Sequence, residues 1–92
     1  PMPIKPPHQF LGELLLAAGK PAAARTEFET ALKKAPNRTQ SLLGLARAQA
    51  ASHDATAAVT TYEKLVKIWH DADPELPGLI EARRYLRRRS HT

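Results

Sequence analysis

Phe28 and Tyr62 stand 34 residues apart, and a series of neighbours repeats at the same lag. Leu11 maps to Leu45, Gly12 to Ala46, Ala24 to Ala58, Thr26 to Thr60, Glu29 to Glu63 and Lys33 to Lys67. A fixed period between about 20 and 50 residues is the mark of a stacked repeat array, in which each unit buries its apolar face against the next. The lag settles the fold class ahead of any other feature. It also moves the functional question from catalysis to recognition.

The remaining bulk properties narrow the alternatives. A chain of 92 residues makes at most one domain and buries a modest share of its surface. An apolar content of 42% is enough for a folded core and argues against general disorder. There is no cysteine, which removes disulfide frameworks, thiolate zinc sites and thiol catalysis. No apolar run approaches the roughly 20 residues that span a bilayer, so no membrane partner is expected, and the first residues lack the apolar stretch of a secretory signal. A first residue other than Met points to a piece of a longer chain. The net charge is +5, and Arg83, Arg84, Arg87, Arg88 and Arg89 supply five of the 14 basic residues within one short segment.

Hydrophobic periodicity predicts five helices and no strand. Residues 1–6 are proline-rich and read as a linker or chain end, residues 7–89 as the helical repeat domain, and residues 90–92 as a tail. Helix 1 is expected over about 7–18, with Phe10, Leu11, Leu14, Leu15 and Ala18 on its inward face and Gly19 closing it in a left-handed conformation. Helix 2 is expected from Pro21 to about Lys34, with Ala24, Phe28, Ala31 and Leu32 inward, and Pro36 stops it. Asn37 reads as the N-cap of helix 3, about 38–52, and Gln40 completes a capping-box-like pair. Leu42, Leu45, Ala46 and Gln49 are its inward residues. His53 takes the place of Gly19 and is expected at positive φ. Asp54 caps helix 4, about 55–70, which turns Ala58, Val59, Tyr62, Leu65, Val66 and Trp69 inward. Asp73-Pro74 restarts the chain, and helix 5 covers about 76–89 with Leu76, Leu79, Ile80, Ala82 and Leu86 available for burial. Short turns between such helices make antiparallel hairpins.

This pattern resembles the tetratricopeptide repeat family. The first unit carries it in Leu11, Gly12, Leu15, Gly19, Ala24, Phe28, Ala31 and Pro36, and the second in Leu42, Leu45, Ala46, Ala58 and Tyr62. The resemblance covers about residues 5–72 and implies an all-α fold: two helical hairpins stacked as a short solenoid, with helix 5 as a capping helix. Departures fall at Gln49, His53, Leu65 and His70, and at His8 where a large apolar residue is usual. Leu65 in place of the small Ala31 suggests that helix 5 packs differently from helix 3.

The resemblance also implies a function: protein–protein interaction through a concave groove lined by the first helix of each hairpin. Carried onto this chain, the groove positions are Gln9, Glu13, Leu16 and Ala17, then Gln40, Leu43, Arg47, Ala50 and Ala51. Leu16 and Leu43 are large apolar residues off their helices' core stripes, and such exposure favours a cover. Glu13 and Arg47 occupy equivalent positions and could pair. Gln9 and Glu13 stand where chaperone-binding members place a carboxylate clamp, so none is expected here. The runner-up function is a homo-oligomerising structural domain.

A third reading, contact of Arg83, Arg84, Arg87 and Arg88 with an acidic protein or a nucleic acid, has no interleaved aromatic beyond Tyr85 and no base-reading motif to support the nucleic acid. Cations at a helix C-terminus also complement its dipole for local reasons. His8, His53, His70 and His91 have no metal-ligand spacing, and His70-Asp71 lacks a nucleophile or phosphate loop nearby, so no catalytic, metal or cofactor site is expected. Glu29 with Lys33 and Glu63 with Lys67 read as stabilising surface pairs.

Overall fold

A computed structural model of the chain describes residues 7–69 and 76–90. Five helices follow one another: α1 (Pro7–Ala17), α2 (Pro21–Lys34), α3 (Thr39–Ala51), α4 (Ala55–Ile68) and α5 (Pro77–Ser90). No strand occurs among the described residues. The proline-rich residues 1–6, His70-Asp71, Asp73-Pro74 and His91 lie outside the described residues.

The turns follow local chemistry. Gly19 ends α1 at φ 77°, and its repeat equivalent His53 ends α3 at φ 64°. Both occupy the left-handed region that reverses a helix, and the histidine does so at a steric cost the glycine avoids. Pro21 starts α2 where a missing N–H removes no helical bond. Asp54 caps α4 by accepting the Ala57 amide at 3.2 Å. The cap expected at Asn37 is not formed: Arg38 is the N-cap of α3 and no side chain bonds the free amides there.

The core is two apolar clusters joined through Leu32. Ala24, Phe28, Leu45 and Ala48 form the first, with Leu15 and Leu16 against it. Leu42, Leu43, Ala46, Ala58, Tyr62, Leu65 and Ala82 form the second, with Trp69 and Tyr85 against it. Helix α3 belongs to both. Its residues Ser41, Leu42, Leu43, Gly44, Leu45, Ala46, Ala48 and Gln49 are all buried, because α2 packs on one side of it and α4 on the other. Gly44 permits that contact: a Cβ there would overlap the Phe28 ring.

The second cluster closes with α5. The Tyr62 and Tyr85 rings meet in a tilted contact, with centroids 4.7 Å apart and planes at 36°. A Cβ at Gly78 would meet Trp69 at 2.8 Å and Leu43 at 3.1 Å. Leu79 and Ala82 are fully buried.

One face differs from the sequence expectation. The apolar stripe of α1 places Phe10, Leu11 and Leu14 inward, yet they are 51%, 42% and 51% exposed. The buried residues of α1 are Gln9 and Gly12. Helical periodicity identifies a stripe but not the side on which the protein lies, and here Gly12 faces Phe28 while the apolar stripe faces out. Among surface pairs, Glu29 takes Arg25 at 3.5 Å as its partner rather than Lys33.

Candidate functional site

Helices α1 and α3 lie side by side as the first helices of successive hairpins, and a shallow hollow of about 360 Å³ opens between them. Its walls are Glu13, Leu16 and Ala17 from α1 and Gln40, Gly44 and Arg47 from α3, with Phe28 at the floor. The chain produces this shape for a local reason. Gly12 and Gly44 both approach the Phe28 ring too closely for a Cβ to fit comfortably, so the two helices share one aromatic floor. Leu16 is half-buried beside it and packs on the cluster that contains Phe28.

Of the groove residues expected from sequence, Glu13, Leu16, Gln40 and Arg47 share this hollow, together with Ala17. Three do not. Gln9 is 2% exposed, and its Oε1 accepts from Arg38 Nε at 2.5 Å and from the buried Ser41 hydroxyl at 3.2 Å. It is a polar tie between α1 and the start of α3. Leu43 is 5% exposed because α5 lies over it at Gly78, so its apolar surface is already covered. Ala50 is half-buried and packs against the second cluster. Ala51 is exposed at the end of α3.

Arg47 does not pair with Glu13 as its principal partner. Its Nε donates to Glu81 Oε2 at 2.8 Å and its terminal nitrogen to Oε1 at 2.5 Å. This two-pronged arrangement holds a guanidinium more firmly than a single contact. Tyr62 donates its hydroxyl to Glu81 Oε2 at 2.9 Å, linking the surface pair to the core. The hydrogen bond to Glu81 raises the Arg47 pKa, with a smaller contribution from the charge of Glu13. Burial works to raise the Glu81 carboxyl, but the hydrogen bonds from Arg47 and Tyr62 together outweigh it and hold the group below the usual carboxylate range. Burial, then the bond to Glu81, pushes the Tyr62 phenol well above its ordinary value. Glu13, Arg47 and Glu81 are successive members of one 34-residue column, so the repeat lag itself points to the Arg47–Glu81 pair.

The arginine run does not form one surface. Arg84 and Arg88 border a hollow with Tyr62, Pro77, Ile80, Glu81 and Tyr85, whereas Arg87 and Arg89 border another with Val59, Glu63 and Leu86. Arg83 is exposed. Neither Arg87 nor Arg89 is without a partner in the chain. Among the described residues no three His, Cys, Asp or Glu side chains gather as a metal site, and no helix is long and apolar enough to cross a membrane.

Compared with protein families, residues 11–77 match the tetratricopeptide repeat. No significant match was found among curated proteins or among solved structures.

Proposed function

The chain belongs to the tetratricopeptide repeat family, a non-catalytic repeat family whose members are generally protein-interaction modules, and we propose that it binds a protein segment in the groove between α1 and α3. The segment places one apolar side chain in the hollow beside Leu16, above Phe28. Gln40, exposed at the rim, carries both a donor and an acceptor and suits a backbone amide of the same segment. Arg47 is held by Glu81 before any ligand arrives, so the rim keeps its shape without the segment having to order it. The observation that carries this reading is the apolar floor with a polar rim, the usual composition of a site that fixes one side chain and orients the chain around it.

Selection from a displayed peptide library tests the proposal. The selected peptides are expected to share an apolar anchor and to lose at least about tenfold in affinity, about 1.4 kcal/mol, on Leu16→Glu. Gln40→Glu changes an exposed side chain and guards against misfolding of the first variant. It should weaken the same peptides, while Arg84→Glu with Arg88→Glu leaves them unaffected. Peptides that bind both groove variants as well as the parent, or that depend on Arg84 and Arg88, overturn it.

A further inference from the structure

The outward face of α1 breaks the rule that the other first helices obey. In α3 the face that meets the preceding hairpin reads Gly44, Leu45, Ala48, and in α5 the equivalent face reads Gly78, Leu79, Ala82. The leucine and alanine of each are buried, and the glycines are what let Phe28 in one case and Trp69 in the other approach the helix backbone. The same positions in α1 are Phe10, Leu11 and Leu14, and all three are exposed. A hairpin of the kind that packs on α3 would drive its own aromatic into Phe10 and Leu14, where no space is left for it. This face is not shaped for ordinary stacking.

Nor is it shaped for solvent. Every exposed residue of α1, namely Pro7, Phe10, Leu11, Leu14 and Ala17, is apolar. The polar residues of the helix lie off this face: Gln9 is buried, and His8 and Glu13 are half-buried to either side. His8 bonds Glu27 at 2.8 Å and Gln9 lies among Arg38 and Ser41. A contiguous apolar face of this kind marks an interaction surface.

We infer that the α1 face joins two copies of this chain in an antiparallel, two-fold contact centred on Leu14. Phe10, Leu14 and Ala18 form one i, i+4, i+8 ridge, and Ala18 still belongs to it because its amide bonds the Leu14 carbonyl at 2.9 Å. The ridge tapers from large through medium to small. Two such ridges running antiparallel about Leu14 set the large end of each against the small end of the other, so Phe10 of one copy meets Ala18 of its partner. A two-fold contact demands this self-complementarity, since each residue must meet its own symmetry mate's surface. The contact also suits the charge distribution. The chain is +5 overall, but no exposed residue of α1 is charged, so this face brings two basic molecules together without opposing their cations.

The absence of cysteine makes the test direct. Sedimentation equilibrium from micromolar to millimolar concentration should show a monomer–dimer equilibrium, and Phe10→Asp should weaken it at least 100-fold while the circular dichroism spectrum keeps its helical form. Leu14→Cys should cross-link to itself on mild oxidation. Phe10→Cys should cross-link with Ala18→Cys in a mixture but poorly with itself, because two copies of residue 10 lie about 12 Å apart along the paired axes, beyond disulfide reach. A monomer at every concentration overturns the inference. So does a dimer that survives Phe10→Asp, or one in which Phe10→Cys pairs with itself better than with Ala18→Cys. Peptide binding by Phe10→Asp should match the parent, which keeps this outcome separate from that of the groove.

Discussion

Arg47 and Glu81 stand 34 residues apart and meet through a two-pronged ion pair, one full repeat of sequence closed into a single contact between α3 and α5. Tyr62 completes it from the core by donating to the same carboxylate. The pair therefore fixes the rim of the groove to the last helix. Both partners are partly exposed, so solvent screening limits its worth to about 0.5–1 kcal/mol. Urea unfolding of Arg47→Ala should show a loss of that size, with a normal slope.

The same contact sets a pH dependence. The folded Glu81 carboxyl is held below its unfolded value, so the fold favours the ionised form. Its contribution is present above the ordinary glutamate pKa, about 4.3, and is lost as pH falls through the lower folded value. Tyr62 works at the other end. Its folded pKa is raised, so its contribution is present below the ordinary tyrosine value near about 10 and is lost as pH rises beyond it. Stability measured against pH should show a shallower acid limb in Glu81→Gln and a shallower alkaline limb in Tyr62→Phe.

Gly44 lies against the Phe28 ring, and alanine there would place a Cβ inside the ring's space. Overpacking of this kind costs about 1–3 kcal/mol. Gly44→Ala should lower the urea midpoint accordingly, and Phe28→Leu in the same chain should recover part of the loss, by making room. A Gly44→Ala chain as stable as the parent would contradict the shared aromatic floor.

His53 occupies the left-handed region that Gly19 occupies one repeat earlier. His53→Gly should raise stability by about 0.5–1 kcal/mol through relief of that strain, and Gly19→Ala should lower it by about 1 kcal/mol. Thermal unfolding of the two single variants reads both signs in one experiment.

Asp54 caps α4 through the Ala57 amide, and that bond, followed by the one from Arg25 at 3.1 Å, lowers its carboxyl pKa. Asp54→Ala should lower stability, whereas Asp54→Asn keeps an acceptor at the cap and should lower it less. Denaturant midpoints of the two variants make the comparison.

The repeat lag makes the helices, the buried Phe28 and Tyr62, the turns at Gly19 and His53 and the Asp54 cap legible in the sequence. Periodicity misleads where a helix has two candidate inward sides. In α1 the apolar stripe of Phe10, Leu11 and Leu14 is the side that hydrophobicity selects. The lag carries the correction, since Phe10 and Leu14 align with Gly44 and Ala48 and are too large for the same role. Leu43 reads as exposed on its own helix because its cover, α5 at Gly78, comes from the next unit. The burial of Gln9 leaves no signal: a polar residue beside Arg38 and Ser41 is a three-dimensional match that no spacing announces.

The most direct test of the central claim is to add a selected peptide to isotopically labelled protein and map the amide shifts. The groove account predicts that the largest changes fall at Glu13, Leu16, Gln40, Gly44 and Arg47, with α4 and the outward face of α1 unmoved. Changes centred on Arg84 and Arg88, or on Phe10 and Leu14, would contradict it.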